Sequence, residues 1–293
     1  MLRFGAVQQK MRVKRLKNNE YIKEEGIWVR NPYCPGKPFD VNSLAKGDSD
    51  VFLKNEMENT RRPHLQMDEF RELAADKVVI VSDGYNWARN QFYLGGLPNK
   101  AIRVIGVNGS LSRWEMVGDS AKIKRTMSFY VANNPYPECM GYLPRSHRYY
   151  PNIVASARTY PGFLAAYKNQ PYLYRPTNDF DYAGFGGSEI SMILDDYRNP
   201  ICAALSLTVR MGAKKIVLLC CDESFEEDRP GSVKMENGLF QYPQQIKCQK
   251  VIDKQIFWLR KNGVEVRDCS SGVKLNNAEY INPEGLVDFF EKD

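Results

Sequence analysis

Residues 199–267 constrain the fold more than any other part of the chain. Asn199 and Pro200 offer an N-cap followed by a proline at the first helical position, and the segment ICAALSLTVRM runs from there to Gly212. Residues 215–221 (KIVLLCC) then read as a buried strand ending in Asp222. A longer helix over 243–261 stops at Gly263, and residues 264–267 (VEVR) read as a further strand. Helices and strands that alternate in this way predict a parallel sheet with helices on both faces.

The same pattern begins earlier. Residues 77–81 (KVVIV), 101–107 (AIRVIGV) and 127–132 (MSFYVA) are short apolar runs rich in β-branched residues, each closed by small polar residues. Residues 153–155 and 172–174 are shorter candidates. The expected fold is therefore α/β: a Rossmann-like, mostly parallel sheet over residues 76–293. Residues 1–75 show no sustained period, and prolines at 32, 35 and 38 block helix and ladder alike. They read as an irregular basic extension with a short helix around 67–75.

Composition narrows the function classes. With 43% hydrophobic and 26% charged residues, the chain belongs among ordinary globular proteins. Its longest apolar run, residues 216–221, falls far short of the ~20 residues of a membrane span. The basic N-terminus lacks the apolar stretch of a secretory signal. Seven cysteines without a CxxC pair fit neither a disulfide framework nor a zinc ribbon, and a reducing cytoplasm is the expected location. Of the net charge of +6, residues 1–30 hold eight Lys/Arg against three Glu, or +5. Such an arm suits nucleic acid or an anionic surface, and equally a solvated tail.

Ligands of parallel sheets bind beyond the carboxyl ends of the strands. Those ends carry Ser82-Asp83-Gly84, Asn108-Gly109-Ser110, Asn133-Asn134 and Asp222-Glu223-Ser224. These residues suit the phosphates and ribose of a nucleotide, although Gly, Asn, Asp and Ser also end strands simply because they make turns. Gly187 and Ser188, in a glycine-rich loop, could add backbone NH groups to a phosphate cradle. Asp179 and Asp181 form an Asp-x-Asp pair of the kind that holds Mg²⁺ or Mn²⁺ on a diphosphate. Residues 139–178 contain no Asp or Glu but interleave arginines with tyrosines, a composition fit for phosphates and bases. Within it, Arg145 and Arg148 are candidate phosphate or acceptor contacts, and His147 is a candidate base. Arg229, after three acidic residues, reads as part of a loop at the active site or as a plain turn.

Residues 200–222 (PICAALSLTVRMGAKKIVLLCCD) resemble the helix–glycine–strand–aspartate signature of two related groups. One is the domain family named for an archaeal hydroxymethyl-dihydropterin diphosphokinase, found also in flagellin-glycosylation accessory factors. The other is the Rossmann-like bacterial sialyltransferases. Gly212 and Asp222 stand at the family's ten-residue separation, residues 78–87 occupy the place of its first strand and glycine turn, and Asn108 and Asn133 or Asn134 match its later strand ends. The chain departs from the pattern in keeping only Gly84 of the Gly-Pro-Ser turn, in Cys220-Cys221-Asp222 for Gly-x-Asp, and in having no histidine after His147. The resemblance implies a nucleotide-dependent transferase with Asp222 in its site. The leading expectation is a glycosyl transfer from a nucleotide-activated donor to an acceptor hydroxyl, which could lie on a nucleic-acid base. An ATP-dependent diphosphokinase is the alternative, and a non-catalytic nucleic-acid binder is a third.

Overall fold

The computed structural model describes residues 21–24, 27–30, 46–65, 74–97, 102–118, 127–144, 150–176 and 192–291. Strands β1 (Tyr21–Glu24) and β2 (Ile27–Arg30) pair antiparallel, and helix α1 spans Lys46–Asn59. The main sheet begins with β3 (Lys77–Val81) and continues with β4 (Ile102–Val107), β5 (Phe129–Ala132), β6 (Asn152–Ser156), β7 (Tyr172–Pro176) and β8 (Met192–Leu194). Then come β9 (Lys215–Leu219), a small antiparallel hairpin of β10 (Val233–Lys234) and β11 (Phe240–Gln241), β12 (Glu265–Asp268) and β13 (Glu279–Tyr280). The principal helices of this part are α2 (Ser110–Gly118), α3 (Pro200–Arg210), α4 (Pro243–Lys261) and α5 (Leu286–Glu291).

Nine strands form one sheet in the order β13-β12-β9-β3-β4-β5-β6-β7-β8, and every neighbouring pair is parallel. The alternation of side chains along each strand explains why both faces are covered. Val78 and Ile80 of β3, with Ile216 and Leu218 of β9, pack against Ile201 and Leu205 of α3 and Ile252 and Ile256 of α4. Val79, Val81, Val217 and Leu219 face the other way, toward Trp87, Leu94, Leu111 and Trp114 and toward Leu286 and Phe290 of α5. The α/β architecture expected from the apolar runs is thus present. Among the described residues, no helix is long and apolar enough to cross a membrane.

The chain leaves β3 and runs outward through β4 to β8, then returns to place β9 on the opposite side of β3. The connection after β3 covers one face through Trp87, Leu94 and Leu97, whereas α4, which follows β9, covers the other. Adjacent strands whose connections diverge to opposite faces leave a crevice between their carboxyl ends.

The extension expected to be irregular contains a fourteen-residue helix, α1. Most of the helix expected around 67–75 lies outside the described residues. α1 lacks an apolar stripe, which is why its sequence pattern gave no sign of it, and it docks mainly through amides. Asn55 donates to the carbonyls of Pro135 (2.9 Å) and Arg158 (3.0 Å), and Asn59 to those of Ala157 (2.9 Å) and Thr159 (2.7 Å). The helix therefore lies over the carboxyl edge of β5 and β6.

Asn59 is fully buried, and truncating it leaves two carbonyls without their donor. Asn59→Ala should lower stability by about 1–3 kcal/mol, read as a fall in the urea midpoint. An unchanged midpoint would show that the amide contacts do not hold α1 in place.

Candidate active site

The crevice between β3 and β9 is built from strand ends that curl abruptly. Cys220 (φ +54°) and Glu223 (φ +50°) adopt left-handed backbone after β9, as does Asn108 (φ +53°) after β4. None is glycine, and such conformations cost about 1–3 kcal/mol each and concentrate at functional sites. The turn at Cys220 also ends β9 at Leu219, two residues earlier than its apolar run suggests. It brings the Cys220 carbonyl to the Gly84 N–H (3.0 Å), locking the two strand ends together.

Asp222 lies beneath this turn, with no exposed surface. Gly84 presses on it from one side and Gly272 from the other, so closely that a Cβ at either position would collide with its carboxylate. The Ser224 hydroxyl donates to Oδ2, while Oδ1 is buried without a hydrogen-bond partner. Its backbone carbonyl accepts from the amides of Gln241 (2.7 Å) and Gln249 (3.2 Å), tying the β10–β11 hairpin and α4 to the same point. Burial is the main reason its carboxyl is pushed up to about 7; the Ser224 hydroxyl opposes the rise and the Asp268 carboxylate adds to it.

Glu223 is the half-buried carboxylate of the pair, and it faces the crevice. Oε1 accepts from the side-chain amides of Asn108 (3.3 Å) and Asn199 (3.2 Å). Asn199 is also the N-cap of α3, taking the Ile201 N–H at 2.8 Å, so one residue starts the helix and orients the glutamate. Asn108 is held in turn: its carbonyl accepts from the Tyr130 hydroxyl (2.8 Å), and its amide also reaches the Ser82 hydroxyl (3.2 Å). Burial raises the Glu223 carboxyl to about 7, with the two asparagine amides pulling it down and the charge of Asp83 pushing it further up.

Asp83 completes the acidic lining. Its carboxylate takes a hydrogen bond from the Gly109 N–H at the start of α2, with Arg113 at 3.9 Å, and burial raises its pKa. The positive end of α2 is thus already answered by a carboxylate of the protein itself. Gly109 is required by this approach, since a Cβ there would strike the Asp83 carboxylate. Ser110, also fully buried, opens α2.

The crevice therefore gathers Asp83, Gly84, Asn108, Gly109, Ser110 and Asp222, all expected from sequence. Asn133, at the end of β5, is placed beside Asp196 and lowers the pKa of that buried carboxyl, which burial raises overall. Asn134 is used within its own turn, where Oδ1 accepts the Tyr136 N–H (2.9 Å). Arg229 is not drawn in: its guanidinium stacks over Phe225 at 4.4 Å and lies 3.9 Å from Glu227. Arg145, His147, Arg148, Asp179, Asp181, Gly187 and Ser188 lie outside the described residues. Among the described residues, no group of three or more His, Cys, Asp or Glu is arranged to hold a metal ion. Sequence reasoning named Glu223 only as part of a polar strand end and Asn199 only as a helix cap, and gave neither a role of its own in the site. The first adjoins Asp222, but only the left-handed turns decide which of two neighbouring acids faces outward; the second is a helix cap whose other partner is 24 residues away.

No family model matches the chain, and no curated protein or solved structure matches it either.

A carboxyl whose pKa is raised by folding binds more protons in the folded than in the unfolded chain between the two values. Asp222 and Glu223 should therefore make the protein lose stability as pH rises from about 4 through about 7. Asp222→Asn removes one of these groups and should stabilise the protein by about 1–3 kcal/mol at pH 8, with little effect at pH 4. Denaturant titrations at the two pH values check this. A loss of stability at pH 8 would mean that the Asp222 carboxylate is held by favourable charge interactions instead.

Proposed function

We propose that this chain is a transferase that moves a glycosyl group from a nucleotide-activated donor to an acceptor hydroxyl, with Glu223 as the general base. The observation that carries the reading is Glu223 itself: a half-buried carboxylate at the strand switch, oriented by two amides and poised near pH 7. A base is most effective when its pKa lies near the working pH. In the reaction, the acceptor O–H gives its proton to Glu223 as its oxygen bonds to the anomeric carbon. The bond from that carbon to the phosphate oxygen breaks, and the nucleotide leaves with the electron pair.

Asp222 acts from below as a positioning residue: its packing against Gly84 and Gly272 sets the turn that presents Glu223, and its charge helps to raise the Glu223 carboxyl. The acidic lining supports a ligand rich in hydroxyls. Asp83 and Glu223 can accept from ribose or sugar hydroxyls, and a sugar donor presents more of these beside its phosphates than ATP does. On that ground glycosyl transfer is preferred to the diphosphokinase alternative that the likeness of residues 200–222 also suggests. Mg²⁺ or Mn²⁺ enters the proposal only through Asp179 and Asp181, and no step above depends on it. A nucleic-acid base as the acceptor, with the basic arm holding the strand, is compatible with the same chemistry.

Two measurements test the reading. A nucleotide or nucleotide sugar at ~100 times its dissociation constant should add about 2.7 kcal/mol of stability in a thermal-shift screen, and a flat response to all of them would end the proposal. Glu223→Gln keeps both amide partners within reach and removes the base, so turnover should fall ~10²–10⁴-fold while the melting temperature holds or rises. Undiminished turnover would remove Glu223 from the chemistry.

A further inference from the structure

Helix α4 turns one face to the sheet and the opposite face to solvent. Ile252, Ile256 and Leu259 belong to the core, and Gln255 donates to the carbonyl of Asp195 (3.3 Å). At 3.6 residues per turn, the positions that face away are 247, 250, 254, 257, 258 and 261. The sequence fills them with Lys247, Lys250, Lys254, Phe257, Trp258 and Lys261. Lys250, Lys254 and Lys261 are exposed, and Phe257 and Trp258 show 48% and 55% of their surface. From Lys247 to Lys261 the row is about 20 Å long.

Three features set this face apart from an ordinary solvated helix surface, which mixes charges of both signs. It carries no acid: Asp253, the one carboxylate of α4, is 7% exposed and accepts from Asn276 (3.1 Å) and Asn277 (3.2 Å). Among the described residues, no carboxylate pairs with Lys250, Lys254 or Lys261. Two large aromatics stand in the row itself. Lys261 lies over the Phe257 ring, with Nζ 4.6 Å from its centre, whereas no ring or cation stacks on the Trp258 indole among the described residues.

Such a face is complementary to a linear polyanion that carries stackable rings. Lysines neutralise phosphates along a strand, and a base stacks on an open indole. The cations stand in single file along one helix, which suits a strand better than the plane of a bilayer. A second copy of the chain fits poorly, because two-fold pairing would set one lysine row against another.

We infer that the outward face of α4 binds single-stranded nucleic acid, with Lys250, Lys254 and Lys261 on phosphates and Trp258 under a base. The row starts beside the crevice, since Gln249 of the same helix reaches the Asp222 carbonyl. The inference stands on this helix face alone and needs no part of the transfer reaction.

A labelled oligothymidylate of about 12 nucleotides is the probe, titrated into the whole chain by fluorescence anisotropy. Trp258→Ala should weaken binding about 10-fold, and Trp258→Phe, which keeps a ring, should retain most of it. Each lysine on a phosphate contributes about 0.7 to the slope of log affinity against log salt. The double variant Lys250→Gln/Lys254→Gln should therefore flatten that slope by about 1.4. These side chains are exposed, so the melting temperatures should hold. Should Trp258→Ala fail to fold, the lysine variant decides alone. Affinity and slope unchanged in the variants would move the strand elsewhere, to the basic arm for instance, and overturn the inference. Binding of the wild type to phosphatidylserine vesicles, with none to the oligonucleotide, would overturn it as well.

Discussion

Burial of both faces of β3 and β9 is the constraint on which everything else depends. Residues 78–81 and 216–219 have no exposed surface at all, because helices lie over the sheet on either side. Central parallel strands in this position must be apolar along their whole length, so polar chemistry has nowhere to sit except their ends. The divergence of the chain after β3 and β9 then opens those ends into a crevice. A scaffold of this kind separates two roles: the middle of each strand holds the fold, and its last residues carry the polar groups of the candidate site.

The strand ends are costly to build. Three non-glycine residues in left-handed backbone and several carboxylates with raised pKa values all work against folding at neutral pH. The surroundings offset that cost in detail. Gly84, Gly109 and Gly272 let carboxylates approach the backbone, Tyr130 holds Asn108, and Asn199 serves a helix and a glutamate at once. Such local expense, supported from every neighbouring element, is what singles these strand ends out as the candidate site.

α1 adds a second layer at the same edge. It is attached through asparagine amides and a carboxylate bridging two arginines, and contributes almost nothing to the apolar core. Polar attachment of this kind is specific in position, because a shift of the helix would leave buried carbonyls without their donors, in contrast to the packed interfaces of α3 and α4.

The fold was legible in the sequence because period and punctuation are local properties. Runs such as KVVIV and KIVLL are short, rich in β-branched residues and closed by turn residues, as buried strands are, Asn199-Pro200 starts a helix, and Gly212 (φ +76°) and Gly263 (φ +81°) end helices in a conformation that favours glycine. The strand ends named candidate residues for the same reason, and Asp83, Asn108 and Asp222 do meet at the switch. α1 was not legible, since its docking face is polar and its partners lie about 80–100 residues away. Nor was the choice between Asp222 and Glu223. Sequence alone determined that carboxylates would stand at the end of the strongest strand; the left-handed turns, Gly84 and Gly272 decided which one is buried and which faces the crevice, because burial and charge depend on neighbours that only the folded chain brings together.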